Sequence, residues 1–142
     1  MPNWCDNKLL IQGPEADLSR MQREIGVADN PFDLERILPT PGNLAAEDGW
    51  YGWRVANWGT KWNVEATLEN RSAGEAEYVF MSAWSPPLQA LTALSVSYPT
   101  LMISTEYDEP GGGFAGSMQI QAGRIIAQEE HQIEWDQADE DE

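Results

Sequence analysis

An α+β fold, with two helices packed on one face of an antiparallel sheet, is what this 142-residue sequence predicts. Three observations predict it. Apolar and polar residues alternate in several separate stretches, the signature of half-buried antiparallel strands. Two stretches instead place apolar residues three and four apart, each bounded by Pro or Gly, as short amphipathic helices require. These patterns occur in the order strand, helix, strand, strand, helix, strand, followed by a terminal hairpin.

The first strand runs from Trp4 to Gln12, with Cys5, Asn7, Leu9 and Ile11 on one face. Gly13-Pro14 ends it, and Leu18, Met21 and Ile25 form the stripe of the first helix, which Gly26 stops. Residues 29–61 read as an insertion carrying the turn signals Asn30-Pro31, Pro39-Thr40-Pro41-Gly42 and Asp48-Gly49. Phe32, Leu34, Ile37 and Leu38 supply one docking helical turn, and the insertion closes with a Trp-rich loop. Alternation from Trp62 to Glu69 predicts the second strand, and Asn70 to Gly74 a turn into the third, Glu77 to Trp84. Ser85 suits an N-cap with Pro86 at the first helical position, and Leu88, Leu91, Leu94 and Tyr98 form the second stripe. Thr100 to Asp108 is the fourth strand; Pro110-Gly111-Gly112-Gly113 leads to a hairpin of Phe114–Gln121 and Arg124–Ile133 turned at Ala122-Gly123. The order is the ferredoxin-like βαββαβ pattern with a C-terminal β-hairpin. Residues 1–134 are expected to form one domain and 135–142 an acidic tail, with five acids among those eight residues.

Charge narrows the functions. Twenty-four acidic against eight basic residues give a formal net charge of −16, which repels nucleic acid and anionic lipid and favours basic partners. A single cysteine, Cys5, excludes an intramolecular disulfide and a cysteine-based zinc site; together with the absence of an apolar spanning run or a signal-like start, it points to the cytoplasm. The one histidine, His131, stands in the polar run Glu129-Glu130-His131-Gln132 with no nucleophile motif, so no catalytic site and no cofactor or metal site is expected.

Two places remain as candidate sites. Four of the seven tryptophans fall between Trp50 and Trp62, beside Arg54, Asn57 and Lys61. As a ligand site, Trp53, Arg54, Asn57, Trp58, Lys61 and Trp62 would stack on a planar group or clamp an anion. As architecture, the tryptophans would anchor an irregular segment, and this second reading is preferred. The other place is the acidic end of the chain. From Ile103 to Glu142 there are eleven acids and one base, and the surface expected to meet a basic partner consists of Glu106, Asp108, Glu109, Glu129, Glu130, Glu134 and Asp136.

Several separated motifs also carry a family likeness: Pro2-Asn3-Trp4-Cys5 with Asn7, Asn57-Trp58-Gly59-Thr60-Lys61-Trp62, Ala83-Trp84-Ser85-Pro86-Pro87, and Tyr107–Gly116 with Glu109. Together they resemble the YubB-like family of ferredoxin-like domain proteins from phage and conjugative-plasmid accessory regions. The resemblance implies the fold and a mobile-element setting, and no catalytic residues. With the charge, it leads to the expectation of a non-catalytic accessory protein in a host cytoplasm. Its acidic, nucleic-acid-mimicking surface would inhibit a host defence complex of the CRISPR-effector or restriction type. The alternative expectation is a nucleotide or small-ligand module using the Trp-rich loop.

Overall fold

Six antiparallel strands form one open sheet in the computed structural model, which describes residues 3–42 and 49–132. The strands are β1 (Trp4–Gln12), β2 (Thr67–Ser72), β3 (Glu75–Ala83), β4 (Met102–Glu109), β5 (Phe114–Gln121) and β6 (Arg124–Gln132). Their order across the sheet is β2-β3-β1-β4-β5-β6. The first four positions are the ferredoxin-like arrangement, and the β5–β6 hairpin extends it past β4, as the sequence predicts.

Alternation decides which face is covered. Cys5, Leu9 and Ile11 of β1, Tyr78 and Phe80 of β3 and Ile103 of β4 are buried against the helices. Helix α1 (Glu15–Ile25) contributes Leu18, Met21 and Ile25, and α4 (Leu88–Ser97) contributes Leu91 and Leu94. The short α2 (Leu34–Ile37) buries Leu34, and Asp33 caps it by accepting from the Glu35 N–H at 3.0 Å.

Three expectations need correction. The Trp-rich segment is not a loop, because Gly49–Asn57 forms a helix, α3. The second strand starts at Thr67 rather than Trp62, and it runs on through the expected turn to Ser72. The stretch before it owes its hydrogen bonds to side chains of the insertion: Asn30 donates to the Val64 carbonyl at 2.7 Å and accepts from the Ala66 N–H at 3.1 Å. Asn63 Oδ1 likewise accepts from the Leu34 N–H at 2.9 Å. With the Val64 carbonyl and the Ala66 N–H taken by Asn30, the segment joins no strand ladder, and its alternation records only Val64 turning inward. Finally, Ser85 does not cap α4. The helix begins at Leu88, and the Ser85 hydroxyl donates to the Gly59 carbonyl at 2.8 Å.

The hairpin of β2 and β3 is tied to α1 through Glu15, which accepts from Arg71 at 2.6 Å and from the Gly74 N–H at 2.8 Å. The hydrogen bond from Arg71, with those from Gly74 and Ser19, holds the Glu15 carboxyl down at about 2. A depressed acid stabilises the fold above its unfolded value, near ~4.3, and that contribution fades as pH falls towards 2. Glu15→Gln is therefore expected to flatten the acid limb of a stability-against-pH curve between about 4 and 2. Urea melts at stepped pH check it, and an unchanged limb counts against the pairing.

Candidate functional site

Among the described residues, no helix covers the face of the sheet opposite α1 and α4. Trp4, Asp6, Lys8 and Leu10 of β1 project there, and cross-strand register sets their neighbours. One row runs Met81, Asp6, Asp108, Ala115, His131; the next runs Val79, Lys8, Glu106, Ser117, Glu129. Twist and the Trp62–Glu65 stretch at one end make this face a hollow of about 1200 Å³. Five carboxylates (Asp6, Glu65, Glu106, Asp108 and Glu129) and one lysine, Lys8, line it. Lys8 already lies 3.6 Å from Glu77, so little positive charge is left for the floor.

The electrostatics of the floor are unfavourable on their own. Asp6 stands directly across from Asp108, and like charges in that relation destabilise a sheet. Partial burial, then the Asp6 charge, pushes the Asp108 carboxyl above its ordinary value. An arriving cation would relieve both effects. The rim at one end is aromatic: Trp4 and Trp62 lie 5.8 Å apart, centroid to centroid, and are respectively 39% and 37% exposed.

The expected acidic residues therefore separate. Glu106, Asp108 and Glu129 share the hollow. Glu130 projects from the other side of β6, where the Tyr107 hydroxyl donates to it at 3.2 Å; burial and this carboxylate push the Tyr107 hydroxyl up to about 12. Glu109 corrects the expectation outright. It is 3% exposed, and its carboxylate accepts from the Gly112 N–H, so it shapes the β4–β5 turn and presents no charge to a partner. Glu134 and Asp136 lie outside the described residues. Asp6 and Glu65 were not anticipated. Both were legible as outer-face residues of the expected first and second strands, although Glu65 reaches the hollow from just before β2.

The six residues of the alternative site do not form one surface. Trp58 is fully buried, its indole N–H donating to the Leu38 carbonyl at 2.8 Å, with Trp53 edge-on at 6.1 Å. Arg54 pairs with Glu35 at 2.9 Å and lies over the Trp58 ring at 4.6 Å. Asn57 donates to the Trp53 carbonyl at 2.9 Å. All four are engaged in contacts within the insertion, and only Trp58 is buried. Lys61 and Trp62 belong instead to a cluster with Tyr51 and Trp84.

The conspicuous motifs meet at this end of the sheet. Thr60 donates to the Ala83 carbonyl at 3.0 Å, the Trp84 N–H to the Asn3 carbonyl at 2.8 Å, and Asn7 to the Ser82 hydroxyl at 2.9 Å. Gly59 has φ +89°, and a Cβ there would lie 2.9 Å from the Leu88 nitrogen, so only glycine allows the close approach.

A ferredoxin-like frame whose signature residues join its strand ends agrees with the comparisons. The family described as "Ferredoxin-like domain in Api92-like protein" matches residues 57–142. The chain belongs to this Api92-like family. The crystal structure of protein api92 from Yersinia pseudotuberculosis superposes with a TM-score of 0.69 at 12% identity, covering 94% of this chain and 99% of that one. At that identity the likeness is one of fold, and it extends the match over most of the part before residue 57. No curated protein matches the sequence. The ferredoxin-like fold implied by the YubB-like resemblance thus holds, and the family shown for this chain is the Api92-like one.

Cys5 belongs to the same motif end and is chemically silent. It is fully buried, and burial, with Glu109 nearby, pushes its thiol from 9.0 to about 12. The thiolate fraction at a given pH is then roughly a thousandfold below ordinary. Native protein is expected to react with a thiol reagent at pH 8 only as fast as it opens, and guanidinium should release the full reaction. Prompt native labelling would contradict the burial.

Proposed function

We propose that this Api92-like chain is a non-catalytic interaction protein that uses the hollow on its open sheet face to hold a basic protein surface. One observation carries the proposal: among the described residues, five carboxylates against one already-paired lysine converge on a concave face that no helix covers. Opposed carboxylates there are costly in the free protein and gain from a partner's cations. Absence of catalysis is supported by the buried thiol and by the position of His131 on the exposed edge strand β6. A cytoplasmic setting is part of the proposal and is consistent with a chain that has a single cysteine.

The narrower form makes the chain an accessory protein of a phage or plasmid, and the partner a nucleic-acid-binding defence protein of the host. It rests on the resemblance and on the charge of −16 rather than on the shape of the hollow. Both forms are tested with the full chain. An Arg/Lys-rich peptide and a purified basic nuclease are titrated at low and high salt, against wild type and a variant with Asp6, Glu106, Asp108 and Glu129 changed to Asn or Gln. Salt-sensitive binding lost in the variant supports the proposal. Equal binding by both chains overturns it, and binding of the peptide without the nuclease overturns only the narrower form.

A further inference from the structure

One of the chain's eight basic residues is held in an unusual way. The Lys61 ammonium lies 4.3 Å from the Trp62 ring centroid, 4.4 Å from that of Trp84 and 5.7 Å from that of Tyr51. Among the described residues it makes no ion pair, although the chain is rich in carboxylates. Three π faces therefore take the place of a counter-ion. The rings are not packed away: Trp62 is 37%, Trp84 40% and Tyr51 42% exposed.

Trp84 is held there at a cost. Its φ is +70°, a region that side chains with a Cβ rarely occupy. Asn3 fixes its N–H and Ala83 accepts from Ser85 next to it, so the surrounding turn enforces the conformation. The indole is only partly covered, 40% exposed. A strained backbone that presents an exposed ring is the pattern of a binding feature. Trp62 also forms the rim of the acidic hollow, so the ring cluster and the carboxylate floor are continuous.

We propose that Trp62, Trp84 and Tyr51 form a cation-binding cage for an alkylammonium group, and that Lys61 fills it in the free protein as an internal stand-in for a partner's lysine side chain. The internal occupant identifies the ligand chemistry. An ammonium among three ring faces is held by its charge, and methylation removes N–H donors that the ring faces do not satisfy. The inference rests on the reading above in one respect, that the partner is basic. Lysine side chains of that partner would meet the carboxylates on the floor and one would exchange with Lys61 at the rim.

The test uses the full chain and a small probe, tetramethylammonium chloride, followed by the indole N–H resonances of Trp62 and Trp84, with buried Trp58 as the control. Sodium chloride at equal ionic strength is the blank. Wild type is expected to show saturable shifts of Trp62 and Trp84 alone. Lys61→Ala should bind the probe roughly two- to fivefold more tightly, the scale of a single exposed cation–π interaction with which the probe no longer competes. Trp84→Leu, which keeps every charge, should abolish the Trp62 response. Shifts that match sodium chloride, no gain in Lys61→Ala, or a response that survives Trp84→Leu overturns the cage. Peptide binding to the carboxylate floor is measured separately, so loss of the cage and loss of the acidic-face reading give different results.

Discussion

Replacing Trp58 by alanine is expected to lower the unfolding free energy by about 3–5 kcal/mol, the range for truncating a large buried aromatic side chain. The residue is fully buried and joins elements that have no strand pairing between them. Its indole N–H satisfies the Leu38 carbonyl, its ring carries Arg54 and Trp53, and its own carbonyl accepts from Ala90 at the start of α4. Alanine would leave a cavity, an orphaned carbonyl and an Arg54 without its stacking surface. Because domains are stable by only about 5–15 kcal/mol, the loss would remove a substantial fraction of the stability. Trp58→Phe separates the causes, since it restores most of the volume and not the hydrogen bond. Urea melts of both variants are the measurement. A Trp58→Ala variant as stable as wild type would mean that the segment is not architecture, and the ligand reading of these tryptophans would return.

Helix α3 shows why the sequence undersold this segment. Trp50, Trp53, Arg54 and Asn57 recur at helical spacing, yet Gly49 and Gly52 are poor helix formers, and the concentration of tryptophan draws the eye towards ligands. The strand register was easier to read. In β1 and β4, alternation alone separates the covered face from the open one, and residue after residue falls where the period of two puts it. The limit of that signal is visible at Trp62–Ala66, where an equally good alternation comes from a segment bonded to Asn30 and Asn63 rather than to a strand. The candidate site was half legible. Charge density pointed to Glu106, Asp108 and Glu129, but charge alone cannot distinguish an exposed acid from Glu109, which closes a glycine turn. Nor can it show that Asp6, about a hundred residues from Asp108 in sequence, is its cross-strand neighbour. That juxtaposition depends on β1 lying between β3 and β4, a property of topology and not of any local stretch.

Neutralising Asp6, Glu106, Asp108 and Glu129 together is expected to move binding and stability in opposite directions. Each carboxylate meeting a partner cation at a solvated interface contributes about 0.2–1 kcal/mol. Four amount to about 1–4 kcal/mol, between roughly fivefold and several hundredfold in affinity, with a weaker salt dependence. Removing the Asp6–Asp108 opposition should return roughly 0.2–1 kcal/mol, up to about 4 °C in Tm; Asp108→Asn reports this gain by itself, because Glu106 stands across from Lys8 and its neutralisation offsets part of the gain in the fourfold variant. The pH dependence has a definite sign. Asp108 titrates above its ordinary value in the folded protein, so the folded chain holds that proton more tightly than the unfolded one. Its effect is to make stability fall as pH rises from the unfolded value through the folded one, and the full penalty applies above both. Asp108→Asn should remove that descent. A partner's cation should do the same by drawing the carboxyl back down, so that complex formation near the folded value releases a proton. Calorimetry in two buffers of different ionisation enthalpy would detect it. A variant that loses affinity and stability together would indicate only a damaged sheet. Loss of affinity with a gain in stability is the behaviour of a surface whose charges are held in an unfavourable arrangement for the sake of a partner.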